Sequence, residues 1–307
     1  RKQYEEMLLG YKKKVEMEAK RQQQREDQKR RREENLKNNM ERWKRGDIVN
    51  FWDEKKNSSK TRELIWEGIP PNLRGPVWLL EIGNELGITE ELFKIFVEHA
   101  EQARNSKAEH LSLAKVKTAK LISLDLSRTF PLLAFYHPDS DLYHHLRDVL
   151  EAYVYYRPDV GYVQGMSFLA AMLLLYMKPY HAFRCLANIL SRSYMMYFYR
   201  MIMEKINLYL EVLENLVKQF LPSLHTYLKT YSITYDIFFI DWVLTLYSKA
   251  LPIDIASRIW DIFFYEGHHF LFATALAILS LCAPKILSST YEDALKVLTH
   301  IQDQEEI

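Results

Sequence analysis

Apolar side chains recur at helical spacing along most of this chain. From Asp47 onward they fall at positions i, i+3, i+4 and i+7 in one segment after another, with short turns between the segments. The aromatic run 233–248 has the composition of a strand, but its large side chains share one helical face. Further helices are predicted at 89–104, 139–156, 163–177, 179–196, 200–219, 222–230, 252–264, 270–282 and 289–302. We therefore expect an all-α fold.

The first 46 residues differ from the rest because charge dominates them. Residues 1–45 contain 16 Lys and Arg against 9 Asp and Glu. Five apolar residues recur at helical spacing near the start: Tyr4, Met7, Leu8, Tyr11 and Val15. We predict a long charged helix over residues 1–46, followed by a single large multi-helix domain over residues 47–307. The helix has three interpretations: a solvated connector, a surface for an anionic membrane or partner protein, and, least favoured, a nucleic-acid contact.

Composition indicates a globular, cytoplasmic protein. Of 307 residues, 48% are apolar, which is enough for a sizeable core, and the 9 glycines are too few for turn-rich sandwiches or barrels. Cys185 and Cys282 lie far apart in apolar surroundings, so we expect buried free thiols in a reducing compartment. The apolar runs 168–177 and 270–283 are shorter than the roughly 20 residues that span a bilayer. We expect core helices and no transmembrane segment.

Motifs of common enzyme classes are missing from the sequence. There is no glycine-rich phosphate loop, no Gly-x-Ser-x-Gly elbow and no His-Glu-x-x-His zinc motif. The pairs His144-His145 and His268-His269 would diverge on a helix, which does not favour metal binding. We therefore expect a protein with no cofactor or metal of its own, which is not a free-standing enzyme.

In two stretches an arginine lies within apolar sequence that contains glycine or proline. In the first, residues 66–78, Arg74 lies one turn inside a predicted helix, where it could meet a carboxylate or the phosphates of a partner. In the second, residues 122–131, Asp125 and Arg128 share a helical face, so the carboxylate can steer the guanidinium. Taken alone, the first stretch has the simpler interpretation of an anchoring turn and the second that of a helix-end ion pair.

A third stretch, residues 158–166, is a turn that leads into the most apolar helix of the chain. Gln164 is a lone amide, expected in the first turn of that helix. It either bonds nearby backbone groups or is presented to a ligand. Gly165 beside it would allow another surface to approach closely.

The second and third stretches resemble motifs of the TBC domain family of Rab GTPase-activating proteins. Ile122-x-x-Asp125-x-x-Arg128 is similar to the arginine-finger motif of that family. Tyr162-x-Gln164 is similar to its glutamine-finger motif. Residues 66–78 resemble the opening block of the family and residues 256–261 its third block, so that the resemblance covers the chain from about residue 66 to about residue 286.

The resemblance implies a mechanism in which this chain completes the active site of a GTPase. Arg128 would neutralise charge on the transferring phosphoryl group, and Gln164 would orient the attacking water. Asp125 would aim Arg128, and Tyr162 would buttress the loop that carries Gln164. Arg74 would add an ion pair behind these residues.

The resemblance also implies a partner and a setting. The partner would be a Rab-family GTPase in its GTP-bound state, which carries the GTP and Mg²⁺ itself. The chain would act in vesicle trafficking, as a cytoplasmic protein held peripherally on endosomal or Golgi-related membranes. The alternative is a catalytically silent module that binds a Rab or a trafficking complex, with residues 1–45 as a second docking surface. The intact motifs favour the first hypothesis without excluding the second.

Overall fold

The structure, a computed structural model, describes residues 34–105, 113–130 and 139–301 and the single positions 23 and 30, with side chains of the middle range from residue 118 onward. Within these residues the regular secondary structure is helical and contains no strand, which confirms the all-α prediction. The chain divides into two compact units, Arg1–Pro70 and Pro71–Ile307. The domain boundary after residue 46 stays a prediction, and the apolar positions predicted between residues 4 and 15 lie outside the described residues.

The described part of the first unit contains three helices. They are α1 (34–46), α2 (Trp52–Lys55) and α3 (Ser59–Glu67). Ser58 precedes α3, and its hydroxyl accepts a hydrogen bond from the backbone N–H of Thr61 at 3.1 Å, which satisfies one of the free donors at the helix start. Arg42 of α1 pairs with Glu63 and Glu67, one turn apart on α3. These exposed ion pairs bridge the two helices.

The described part of the second unit contains thirteen helices. They are α4 (Pro71–Ile82), α5 (Glu90–Asn105), α6 (Leu113–Arg128), α7 (Asp141–Tyr156), α8 (Met166–Leu174), α9 (Pro179–Ser191), α10 (Ser193–Tyr199), α11 (Met203–Phe220), α12 (Pro222–Thr230), α13 (Asp236–Leu244), α14 (Ile253–Glu266), α15 (Phe270–Leu287) and α16 (Tyr291–Thr299). Helix α8 is central, because it is buried along nearly its whole length and packs against α6, α7 and α9. Helices α11, α12, α15 and α16 form a second packed group.

Several helix bounds differ from the sequence prediction, and the structure gives a physical reason for three of the differences. Arg192 interrupts the predicted helix 179–196, because its backbone is extended and its guanidinium donates to the carbonyl of Ile82 at 3.1 Å, at the end of α4. Helix α8 begins at Met166, later than predicted, since Gly165 before it has a positive φ of 101°. Helix α15 continues past Pro284 to Leu287, which buries the side chain of Ile286.

Helix α15 is the one described helix that is long and apolar enough to cross a membrane, judged by length and composition alone. Core helices of folded domains often meet the same criterion. Its buried side chains are Leu271, Thr274, Ala275, Ile278, Leu279, Cys282 and Ile286. They face α11, α12, α14 and α16, so this face of α15 belongs to the core of the second unit.

Both cysteines are buried free thiols, as the sequence predicts. Burial raises the pKa of Cys185 to about 12 and that of Cys282 to about 11. Since a protonated thiol is a poor nucleophile, both side chains serve as small apolar groups of the core.

A buried ion pair joins α4 to α14. Arg74 donates from Nε to Asp261 Oδ1 at 3.1 Å, and Trp78 donates from Nε1 to the same oxygen at 3.0 Å. The guanidinium of Arg74 also donates to the hydroxyl of Tyr176 at 3.1 Å. Burial raises the pKa of Asp261 to about 6, against the opposing effect of Arg74 and Arg258. Arg74 therefore connects three parts of the second unit that are distant in sequence.

Gly75 allows α4 to approach the end of α8 closely. A Cβ atom added to Gly75 would lie 2.3 Å from the backbone oxygen of Tyr176, well inside van der Waals contact. Backbone cannot move aside as the end of a flexible side chain can, so this contact admits only glycine.

We predict that Gly75→Ala lowers the free energy of unfolding. Helix propensity alone would make alanine more stable by about 1 kcal/mol at a helical position. The clash with the Tyr176 carbonyl reverses that sign, since overpacking costs roughly 1–3 kcal/mol or more. Urea denaturation of both proteins measures the difference. Asn72→Ala, at an exposed position of the same helix, is the control and should change stability little. A Gly75→Ala protein as stable as the parent would contradict the packing described.

Candidate functional site

Helix α6 lies at the surface of the second unit, with one face on the core and the other exposed. Ile122 and Leu126 are buried and fix the helix on the core. Arg128 is the last residue of the helix, where a cation suits the negative end of the helix dipole. Phe130 ends the helix with a positive φ of 48°, and its ring packs edge-on against Phe168 of α8 at 5.3 Å. A positive φ is unfavourable for a bulky residue, and the packing against Phe168 holds Phe130 in that conformation. The end of α6, and with it the position of Arg128, is therefore well defined.

Asp125 is a buried carboxylate shared between two donors. Its Oδ1 accepts from Arg128 Nε at 2.7 Å and from Nη2 of the same guanidinium. Its Oδ2 accepts from the hydroxyl of Tyr162. Burial, followed by the hydrogen bond to Asp125, raises the pKa of Tyr162, so the phenol stays a neutral donor. The carboxylate of Asp125 is buried, whereas the Arg128 side chain is 56% exposed. Asp125 therefore orients the guanidinium from the protein interior, and the rest of the guanidinium faces solvent.

A hydroxyl pair fixes the end of α6 to the start of α8. Thr129 Oγ1 lies 2.6 Å from the backbone oxygen of Asp125 and 2.8 Å from Ser167 Oγ. Both hydroxyl groups belong to buried residues. Ser167 follows Gln164 by three residues, so this contact sets the distance between the arginine and the glutamine segments.

The loop that carries Gln164 is shaped by two glycines. Gly161 and Gly165 have positive φ values of 68° and 101°, which L-amino acids with a side chain rarely adopt. A Cβ on Gly165 would lie 3.3 Å from Thr245 Cγ2, so the loop also lies tightly against the end of α13. Gln164 is exposed, in a turn just before α8 and not in its first turn as expected. The backbone conformation at the two glycines, and not helix α8, therefore sets the direction of the Gln164 side chain.

The start of the same loop is held by two arginines. Arg157, at the end of α7, donates to both carboxylate oxygens of Asp159 at 2.8 Å. Arg200, at the end of α10, donates a further hydrogen bond to the carboxylate of Asp159. The hydrogen bond from Arg157 lowers the pKa of Asp159 well below its usual range. Asp159 and Arg200 escaped the sequence analysis, because their partnership joins helix ends that are distant in sequence.

These elements surround an open cleft of about 320 Å³. Its lining residues are Leu121, Leu124, Asp125, Ser127, Arg128, Tyr162 and Gln164. Four residues singled out from sequence thus meet in one place. Arg74 does not line the cleft, since its guanidinium is committed to Asp261 and is 8% exposed. Leu121 and Leu124 were missed, although their spacing from Arg128 on one helix could have revealed them.

The cleft joins a cation, a neutral amide and a buried carboxylate, but no nucleophile with an adjacent base. Among the described residues, no group of three or more His, Cys, Asp or Glu side chains is placed to hold a metal ion. Such a surface suits the stabilisation of negative charge and the orientation of a small molecule on a partner. The expectation of no cofactor or metal stays a prediction.

Comparison with known proteins places these residues in a family context. The family model for the Rab-GTPase-TBC domain matches residues 71–287. The chain is 39% identical to TBC1 domain family member 12 of Xenopus tropicalis, over 99% of this chain and 46% of that protein. It is also 39% identical to TBC1 domain family member 14 of Homo sapiens, over 99% of this chain and 45% of that protein. The chain therefore spans about half the length of these relatives.

Solved structures share the fold. The TBC domain of a Chlamydomonas flagellar RabGAP superposes with a TM-score of 0.66 at 24% identity, covering 88% of this chain and 91% of that one. The Ypt/Rab-GAP domain of Gyp1p gives a TM-score of 0.62 at 18% identity, covering 87% and 94%. At these identities the likeness establishes the helical architecture and not the residues of the site.

We predict that Tyr162→Phe destabilises the second unit by about 1–3 kcal/mol, because the buried Asp125 oxygen loses its phenol donor. The free energy of unfolding in urea measures the loss. Tyr291→Phe removes a hydroxyl from a tyrosine that is exposed on α16, and it should leave stability unchanged. Equal unfolding midpoints for Tyr162→Phe and the parent would show that the phenol does not support Asp125.

Proposed function

Because this chain belongs to the Rab-GTPase-TBC domain family, we propose that it accelerates GTP hydrolysis by a Rab-family GTPase in its GTP-bound state. It would supply Arg128 and Gln164 in trans. The observation that carries this proposal is the cleft, where these two exposed side chains from separate segments share one opening and rest on buried supports.

Arg128 would act on the charge of the transferring phosphoryl group. The transition state of phosphoryl transfer spreads negative charge over the phosphate oxygens, and the main task of the protein is to stabilise that charge. An arginine supplied in trans contributes roughly 10³- to 10⁵-fold, or about 4–7 kcal/mol of barrier. Asp125 holds Nε and Nη2 of the guanidinium, so the group is oriented before the partner arrives. Less conformational entropy is then lost on binding.

Gln164 would orient the attacking water. A neutral amide offers both an acceptor oxygen and donor N–H groups, and it can hold a water while a phosphate oxygen lies nearby. Gly161 and Gly165 permit the positive φ values of the loop, and Asp159, bonded by Arg157 and Arg200, holds its start. Asp125 and Tyr162 are positioning residues, since they act through Arg128 and the loop.

The partner brings the remaining chemistry. GTP and Mg²⁺ would be carried by the Rab, and this chain would contribute no cofactor of its own. On this proposal the protein works in vesicle trafficking, as a peripheral protein on endosomal or Golgi-related membranes.

We predict that single-turnover GTP hydrolysis across a panel of Rab proteins finds at least one Rab that this chain accelerates. Arg128→Ala should reduce the acceleration by roughly 10³- to 10⁵-fold. Arg128→Lys should recover little of it, because an ammonium group cannot reproduce the planar fork of a guanidinium. Gln164→Ala should also lose most of it.

Lys229→Ala, on an exposed part of α12, is the matched control for loss of a surface cation and should keep full activity. Thermal midpoints of all variants show whether the fold is retained. If a Rab binds the chain but its hydrolysis rate stays at the intrinsic value, the alternative of a catalytically silent binding module replaces this proposal.

A further inference from the structure

Two leucines next to Arg128 are exposed without an evident structural reason. Leu121 is 52% exposed and Leu124 is 62% exposed, although α6 buries other apolar side chains on its opposite face. Both line the same cleft as Arg128 and Gln164. Isolated exposed leucines are common on protein surfaces, but a pair beside two oriented polar groups defines a mixed surface typical of binding sites.

Helix geometry places the two leucines in line with the arginine. At 100° per residue, Leu121 and Arg128 are separated by about 20° around the helix axis, and Leu124 lies within about 60° of either. At a rise of 1.5 Å per residue, the leucines precede Arg128 along the axis by about 10 Å and about 6 Å. The three side chains therefore form one stripe that ends at the guanidinium.

We propose that Leu121 and Leu124 form an apolar docking site for the partner GTPase and help to decide which GTPase is accepted. This inference rests on the proposed function. The occupant is an apolar side chain of the GTPase, on the surface that flanks the bound nucleotide. When the guanidinium of Arg128 contacts the phosphates of that nucleotide, this surface of the GTPase lies over the preceding turns of α6. A GTPase with a charged side chain at this position would have to bury that charge against the leucines without an ion-pair partner. Such a GTPase would therefore bind weakly.

Docking and chemistry should separate in the kinetics. The leucines contact the partner equally before and during the reaction, and such uniform binding changes KM without changing kcat. Arg128 contributes mainly in the transition state, so its loss lowers kcat. A purely structural role of the leucines would alter thermal stability instead, and neither residue is buried.

The experiment measures two quantities for a panel of Rab-family GTPases. The first is the dissociation constant for each GTPase loaded with a non-hydrolysable GTP analogue. The second is kcat and KM for activated GTP hydrolysis. The variants are Leu121→Ala, Leu124→Ala, their combination, and Leu121→Met, which keeps apolar bulk. Leu281→Ala is the matched control, because Leu281 is 66% exposed on α15, outside the cleft.

We expect each alanine to raise KM and the dissociation constant about tenfold, with kcat within a factor of about three. The double variant should lose more, Leu121→Met should recover most of the affinity, and Leu281→Ala should match the parent. An unchanged KM and dissociation constant in the double variant would overturn the inference. If the parent binds a GTPase without accelerating it, and the leucine variants weaken that binding, the docking site stands and the catalytic proposal fails. If no GTPase is bound or accelerated, both fail.

Discussion

The candidate site depends on one buried carboxylate. Asp125 lies below the surface, accepts two hydrogen bonds from Arg128 through one oxygen and one from Tyr162 through the other, and so ties two segments of the chain to a single point. A buried carboxylate without hydrogen-bond donors would be very unfavourable. The need to satisfy Asp125 therefore keeps the hydroxyl of Tyr162 and the guanidinium of Arg128 in place. The arrangement leaves the outer part of Arg128 in solvent, ready for a second negative charge.

The core behind this carboxylate supplies the rigidity that the surface residues lack. Helix α8 is buried along nearly its whole length, and Ser167 near its start bonds Thr129 at the end of α6. Gly165 lies against Thr245, which fixes the loop from the other side. Exposed side chains such as Gln164 gain their position from backbone packing, because a surface amide alone has many rotamers of similar energy. The exposed groups of the site, Arg128 and Gln164, therefore rest on buried parts of the fold.

Two arginine–aspartate pairs in the second unit differ in how far they are buried. Arg74 and Asp261 are both buried, with Trp78 as a further donor, and the pair joins α4 to α14. Arg128 and Asp125 have the same chemistry, but only the carboxylate is buried. The first guanidinium has no access to a partner, whereas the second keeps part of its surface free. Identical residue types at helical positions therefore differ in their access to solvent, because the surrounding helices cover one guanidinium and not the other.

Sequence alone determined the helical class, the position of most helices, and the pairing of Asp125 with Arg128. Those features depend on local spacing: apolar residues at i, i+3 and i+4 specify a helix, and Asp125 three residues before Arg128 specifies their pairing. Packing decided the rest. Gln164 lies outside α8, where Gly165 has a positive φ and packs closely against Thr245. Arg192 interrupts a predicted helix and bonds Ile82, and Arg74 meets Asp261 far along the chain. These contacts join distant segments, and no local pattern encodes them, since they arise only when whole helices pack together.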